Sequence, residues 1–344
     1  MDHLIYLQQA LQLATQANRP VSPNPYVGCV VVRDGRIVGT GFHQGPGTAH
    51  AEVVALQQAG AFAEASDVYV NLEPCCHFGR TPPCINALIA ARVKRVFCSM
   101  IDPNPLVAGK GVQALQAAGI EVNVGLAESE TQFLNRFYIH YIQHRTPYVI
   151  AKWAISLDGQ MITHPNDDRI ISNNNSHDHS HQTRKAVDAI LIGVETALAD
   201  KPALTVRHVD NPHNHQPLRI ILDSKGRLPL TKPPGKTLII TTLQADAKWI
   251  QAMQQDHDLW IIKANEAGKI SLPELLTKLG QHPITSILVE GGKTILNAFI
   301  NQGLVQETHT YLGAKLIADL PHKKPVQIIE QQILHDNFFC RGIL

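Results

Sequence analysis

His50-Ala51-Glu52, followed by Pro74-Cys75-Cys76-His77-Phe78-Gly79-Arg80-Thr81-Pro82-Pro83-Cys84, decides how this chain reads. The two stretches supply an imidazole, two separated thiols and a carboxylate two residues from the imidazole. Zinc in a hydrolytic site takes three protein ligands and leaves one position for water. His50, Cys75 and Cys84 meet that need, and Glu52 is left over as a proton carrier. Its role needs a carboxylate, because an amide can hydrogen-bond but cannot shuttle protons. Each ligand is expected at or just before a helix start, where the helix dipole favours a thiolate. Cys76 and His77 leave a closed four-ligand structural site open, but such a site has no use for a carboxylate beside His50. A core without metal is a further alternative, against which three pieces in register count.

Outward from this centre, strand and helix signals alternate. Strands are expected at 27–32, 36–39, 68–72, 96–100 and 121–124, and helices at 51–59, 84–91 and 112–118. Asp34-Gly35 joins the first two strands as a tight hairpin. Leu4, Leu7, Leu11 and Ala14 recur at helical spacing, so the N-terminus reads as an amphipathic helix rather than a signal peptide. Arg145-Thr146-Pro147 marks a boundary, after which the alternation restarts. Strands follow at 148–154, 188–193, 218–222, 238–242, 259–263 and 287–290, with helices near Thr183, Ala247, Pro273 and Ile295. Two α/β domains are expected, 1–145 and 146–344.

Composition narrows the function classes. The 344 residues are 44% hydrophobic, enough for two cores, and carry a net charge of +1. Balanced charge and 6% aromatic residues count against a nucleic-acid-editing or RNA-binding protein, which needs a basic groove and aromatic platforms. No run approaches the ~20 apolar residues of a membrane span. Six cysteines are too few and too clustered for a disulfide scaffold; Cys29 and Cys98 read as buried thiols in apolar strands. A cytoplasmic setting fits, with a small-molecule partner, no nucleic acid and no membrane, and a homo-oligomer is expected. His177 and His181 stand at i, i+4 and could share a metal, but no third ligand is spaced nearby, so a polar helix start is the preferred reading.

Ser22-Pro23-Asn24-Pro25, Gly41-Phe42-His43, His50-Ala51-Glu52, Glu73-Pro74-Cys75, Gly79 to Cys84 and Asp102-Pro103-Asn104-Pro105 together resemble the bifunctional riboflavin-biosynthesis deaminase–reductase family. The eight residues between Cys75 and Cys84, with Thr81-Pro82-Pro83, separate the chain from cytidine and tRNA-adenosine deaminases. In the second half Lys152-Trp153-Ala154, Ser156-Leu157-Asp158-Gly159, Leu204-Thr205-Val206-Arg207, Leu222-Asp223-Ser224 and Val289-Glu290-Gly291-Gly292 carry the same resemblance. It implies a cytidine-deaminase-like α/β/α sandwich followed by a dihydrofolate-reductase-like α/β domain. The first would hydrolyse the 2-amino group of a diamino-pyrimidinone bearing a phosphoribosylamino arm, using Zn2+. The second would transfer hydride from NADPH to C1 of the ribosyl group, opening it to a ribityl chain.

The resemblance also carries site residues. His43, His77 and Arg80 would line the substrate side, the last suited to a phosphate, while Asn24, from its amide alone, suits an exocyclic amine and a ring nitrogen, with a rigid loop before the strand as the alternative. Ala154, Thr196, Asp200, Ser224, Gly292, Lys293, Thr294, Ile295, Leu296, Asn297 and Ala298 would contact the nicotinamide cofactor. Arg184, Leu204, Arg207 and Glu290 would contact the sugar phosphate, with Arg184 and Arg207 as a clamp. From the residues themselves, Gly291-Gly292 between a strand and a helix suggests an anion-binding turn. The absence of G-x-G-x-x-G after the first strand argues against an ordinary dinucleotide fold. Lys225 and Arg227 near Ser224 suggest a seat for a 2′-phosphate. Two positions depart from the family. Asp168 puts an acid where a phosphorylated substrate is expected, and Ile170 removes an aromatic stacking surface. They motivate an alternative, an active deaminase with a degenerate, non-reducing second domain.

Overall fold

The computed structural model describes residues 3–17, 21–79, 81–156, 159, 161, 171–230, 235–313, 327–335 and 337–343. The chain divides into two compact units, Met1–Arg145 and Thr146–Leu344.

In the first unit, β1 (Gly28–Arg33), β2 (Arg36–Phe42), β3 (Asp67–Val70), β4 (Arg95–Cys98) and β5 (Glu121–Val124) form a sheet of order β2-β1-β3-β4-β5. β1 runs antiparallel to β2 and β3, while β3, β4 and β5 are parallel. Asp34 and Gly35 both adopt positive φ, 50° and 77°, as a two-residue hairpin turn requires. Alternation along β1 sends Val30 and Val32 against Leu7 and Ala10 of α1 (His3–Ala14). Cys29 and Val31 face the opposite layer, with Ala51 and Ala55 of α2 (Ala51–Ala59), Leu88 of α3 (Cys84–Ala90) and Leu115 of α4 (Lys110–Ala117). The result is the expected helix–sheet–helix sandwich. α2 lies so close to β2 that a Cβ on Gly39 or Gly41 would sit 2.2 Å from the Ala55 carbonyl or 2.4 Å from that of Ala51. Those two glycines therefore set the height of α2, and with it the position of His50 and Glu52. α5 (Glu128–Leu134) and α6 (Arg136–His144) close the unit.

The second unit holds nine strands among the described residues: β6 (Tyr148–Ser156), β7 (Ala189–Gly193), β8 (Leu218–Leu222), β9 (Thr237–Thr241), β10 (Asp258–Ile261), β11 (Ser286–Val289), β12 (Glu307–Gly313), β13 (Gln327–Leu334) and β14 (Asn337–Ile343). Their order is β10-β9-β8-β7-β11-β6-β12-β14-β13. The pairs from β10 through β12 are parallel, and β14 is antiparallel to both β12 and β13. α7 (Asn174–Ala186), α8 (Val194–Asp200), α9 (Ala247–Asp256), α10 (Leu272–Gln281) and α11 (Lys293–Asn301) accompany the sheet. Val149, Leu191, Ile220, Ile240 and Val289 pack against Leu275 and Leu279 of α10 and Leu296 and Phe299 of α11. The last three strands are absent from the sequence expectations. No helix among the described residues is long and apolar enough to cross a membrane.

Candidate active sites

The first site forms where two helices begin. His50 is the N-cap of α2, in an extended conformation, and Glu52 lies in the first turn, 3% exposed. Pro83 caps α3, so that Cys84 is its first residue. Cys75 is not at a helix start as expected. It sits in the irregular turn after β3, and its sulfur instead accepts the Cys84 backbone N–H at 3.3 Å.

The three ligand atoms form a triangle. His50 Nδ1 is 2.9 Å from Cys84 Sγ and 3.5 Å from Cys75 Sγ, and the sulfurs are 3.4 Å apart. Zinc held by one nitrogen at about 2.0 Å and two sulfurs at about 2.3 Å needs edges of roughly 3.5–3.8 Å, so the triangle fits after opening by about half an ångström. The other ring nitrogen, Nε2, is 2.9 Å from Thr81 Oγ1, which fixes the ring and leaves Nδ1 as the ligand. Among the described residues this is the one such grouping of metal-ligating side chains. Cys76 is not part of it; its thiol donates to the Leu106 carbonyl at 3.6 Å. His77 lines the neighbouring pocket without joining the triangle.

Electrostatics follow from this geometry. The Cys75 thiol is drawn down to about 4, first by its hydrogen bond with Cys84 and further by His50, against the opposing effect of burial. The same contact, together with burial, pushes Cys84 far upward. Burial raises Glu52 above the usual carboxylate range, and the charge of Cys75 adds to the effect. A buried carboxyl group beside the metal ligands is placed to carry protons between water and substrate.

A cavity of about 390 Å³ opens beside the triangle, lined by Asn24, His43, Glu52 and His77 among others. Asn24 Nδ2 lies 2.9 Å from His43 Nε2, so the two side chains form one polar wall. Arg80 lies outside the described residues. Sequence reasoning assigned no role to Asp102, Asn104, Tyr138 or Tyr141, all of which line the cavity. The Tyr138 hydroxyl donates to Asp102 at 2.9 Å, and burial raises that carboxyl to about 6. The available signal was the i, i+3, i+4 spacing of Tyr138, Tyr141 and Ile142 on α6.

The second unit has a larger cavity, about 970 Å³, outside the C-terminal ends of β7 and β8. Open parallel sheets place ligands in this position. Thr196, Asp200, Ser224, Gly292, Lys293, Thr294, Ile295 and Ala298 line it. The Gly292 N–H donates to Thr196 Oγ1 at 3.2 Å, tying the start of α11 to α8. Three expected cofactor contacts lie elsewhere. Leu296 is turned into the core at 3% exposure, as helical periodicity demands of a residue between Ile295 and Asn297, while Asn297 is exposed and Ala154 is half-buried on β6. At the Ser224 end of the cavity stand Lys225, Arg227 and Lys269.

Arg184 and Glu290 meet, but not as an open phosphate clamp. The Arg184 fork donates to both carboxylate oxygens of Glu290 at 2.7 Å, and Nη1 donates to the Thr205 carbonyl at 3.2 Å. Lys152 Nζ is 3.8 Å from Glu290. Arg207 is exposed and its backbone N–H donates to His181 Nδ1 at 3.1 Å, so the structure does not join the two arginines. Leu204 is buried, with φ of 50°. His177 is exposed, whereas His181 is buried, and among the described residues neither belongs to a group of three or more metal-ligating side chains. Asp168 and Ile170 lie outside the described residues.

Comparison with known proteins decides the family. Residues 1–100 match the model of the cytidine and deoxycytidylate deaminase zinc-binding region, and residues 147–332 match that of the RibD C-terminal domain. The chain is 40% identical over 318 residues to the riboflavin biosynthesis protein RibD of Aquifex aeolicus (strain VF5), covering 91% of this chain and 87% of that protein. The chain belongs to the RibD family. RibD of Escherichia coli (strain K12) is 39% identical over 331 residues, covering 92% of this chain and 89% of its own. The solved structure of Acinetobacter baumannii RibD, form 1, aligns with a TM-score of 0.88 at 35% identity over 99% of this chain and 98% of that one. A Thermotoga maritima structure, described as a diaminohydroxyphosphoribosylaminopyrimidine deaminase/5-amino-6-(5-phosphoribosylamino)uracil reductase, aligns at 0.82 with 28% identity over 99% and 98%. As a RibD protein the chain is a bifunctional deaminase and reductase of riboflavin biosynthesis, with zinc and NADPH as its cofactors. Both halves match, so the degenerate second domain finds no support.

Proposed function

We propose that the first unit hydrolyses the 2-amino group of 2,5-diamino-6-(5-phosphoribosylamino)pyrimidin-4(3H)-one, and that the second reduces the ribosyl group of the product to ribityl. The observation that carries the first step is the His50–Cys75–Cys84 triangle with the buried Glu52 carboxyl beside it. His50, Cys75 and Cys84 would hold zinc, whose chemistry when bound would be to supply a nucleophilic water near neutral pH. Glu52 would move one proton to the ring nitrogen and a second to the departing amino group, which leaves as ammonia. Asn24 and His43 orient the pyrimidine, His77 lines the same cavity, and Arg80, by the family resemblance alone, is proposed as a phosphate contact.

For the second step, NADPH supplies the hydride, and the protein's task is placement. Thr196, Asp200, Ser224 and the turn from Gly292 into α11 support the cofactor's seat. Lys225, Arg227 and Lys269 favour the 2′-phosphate that distinguishes NADPH from NADH. Arg184 and Lys152 place two cations on one buried carboxylate, Glu290, and the surplus positive charge suits a phosphorylated sugar. Arg207 and Leu204 are proposed sugar-phosphate contacts on the family resemblance alone. Free cysteines support a reducing, cytoplasmic setting. Ile329 and Ile333, exposed on the edge strand β13, support a homo-oligomer. A coupled assay tests the whole reading: ammonia release on the phosphoribosylated diamino-pyrimidinone, followed by NADPH oxidation. Ammonia without NADPH oxidation would remove the second step.

A further inference from the structure

The segment 102–109 forms one wall of the deaminase cavity, contributing Asp102, Asn104 and Val107. Its internal order comes from local bonds. The Asn104 N–H donates to Asp102 Oδ1 at 2.9 Å, the Leu106 N–H donates to Asn104 Oδ1 at 3.1 Å, and the Val107 and Ala108 N–H groups donate to the Asn104 carbonyl. Nothing in that set holds the wall against the metal side of the pocket.

Glu73 does. It is 3% exposed and directly precedes Pro74-Cys75. One carboxylate oxygen, Oε2, accepts the N–H groups of Asp102 at 3.1 Å and Gly109 at 2.9 Å, one at each end of the wall segment. The other, Oε1, accepts the Val112 N–H at 3.1 Å, in the first turn of α4. Gly111 closes the same joint from the other side: a Cβ there would stand 2.2 Å from the Pro74 carbonyl. The Cys76 thiol adds a fourth tie, to the Leu106 carbonyl. Both Glu73 oxygens are turned to backbone donors, so the group is not arranged as a second acid or base for the substrate.

We propose that Glu73 is a positioning residue for deamination: it fixes the substrate wall 102–109 at a set distance from the Cys75 turn, so that a pyrimidine held by that wall meets the metal side in register. The proposal rests on the deaminase reading. A carboxylate suits the joint because three N–H donors converge on it, and hydrogen bonds to a charged acceptor are the strong ones. An amide keeps the length but turns an NH2 group toward donors. The wall then loosens while the ligands stay in place.

The test is Glu73→Gln in the full-length chain with zinc, assayed for ammonia release, zinc content and NADPH-dependent reduction. The parent comes first, since a parent without ammonia release defeats the deaminase reading and not this one. The expected result is KM for the diamino-pyrimidinone raised about tenfold, the scale of one lost hydrogen bond to a charged group, with kcat changed less than about threefold. Zinc content and reduction should match the parent. A purely structural role would lower the melting temperature and leave KM unchanged, and that result overturns the proposal. A second measurement needs no variant: hydrogen exchange in the parent should find the Asp102, Gly109 and Val112 amides protected without substrate. Exchange at the rate of open loop amides would overturn the proposal even if the variant failed to fold.

Discussion

Replacing Arg184 with Met removes the fork that grips Glu290 while keeping much of the side-chain volume. Burial alone would raise the Glu290 carboxyl, but the charge of Lys152 and the hydrogen bonds and charge of Arg184 outweigh it and hold the group at about 2, against an ordinary 4.5. That gap corresponds to about 3 kcal/mol at 1.36 kcal/mol per pH unit. Breaking a buried pair by removing one partner costs about the same, 3–5 kcal/mol. Lys152 carries part of the effect, so about 3 kcal/mol is an upper figure for Arg184→Met. For a unit of this size that is a melting shift of about 6–12 °C at pH 7. The sign with pH is fixed. A depressed carboxyl contributes stability that is fully present above the unfolded value of 4.5 and lost as pH falls through about 2. The difference between parent and variant should therefore narrow to roughly half by pH 3. Scanning calorimetry at pH 7 and pH 3 measures both numbers. A variant that melts within about 2 °C of the parent at pH 7, or one whose deficit is undiminished at pH 3, would refute the reasoning.

Two further outcomes follow from the sites. Glu52→Gln keeps the shape of the pocket but cannot carry a proton, so ammonia release should fall by about 10²–10⁴ with zinc still bound, and turnover near the parental rate would exclude Glu52 as the shuttle. Reversing charge at the Ser224 end of the large cavity, as Lys225→Glu with Arg227→Glu, should weaken NADPH binding by at least about tenfold and leave NADH within about threefold, as read by fluorescence titration at fixed salt. Equal losses for both nucleotides would show that those cations do not read the 2′-phosphate.

How much was legible in the sequence depended on whether chemistry or packing set the residue. The zinc ligands and Glu52 stood out because their types and spacing serve one reaction. Parallel strands such as β7 and β11 were legible as short apolar runs, since both of their faces are covered. β12 was missed for a physical reason. Glu307, Thr308 and His309 are buried there, yet polar, because Glu307 accepts from Tyr148 and pairs with His309. A polar strand satisfied by distant partners leaves no alternation to read. The run Gln327–Leu334 mixes glutamines with isoleucines and gives no clear strand period either. Arg184 and Arg207 looked equivalent as charges, and only the fold shows that the first is committed to Glu290. The cavity residues of α6 were hidden because a helix near a domain boundary gives no sign of which pocket it roofs.

X-ray absorption at the zinc edge, on purified full-length protein, bears most directly on the first site. It should find about one zinc per chain, bound by one nitrogen and two sulfurs with a lighter fourth ligand from solvent, and Cys84→Ala should abolish it. A chain without zinc, or a zinc enclosed by four protein side chains, would contradict the account.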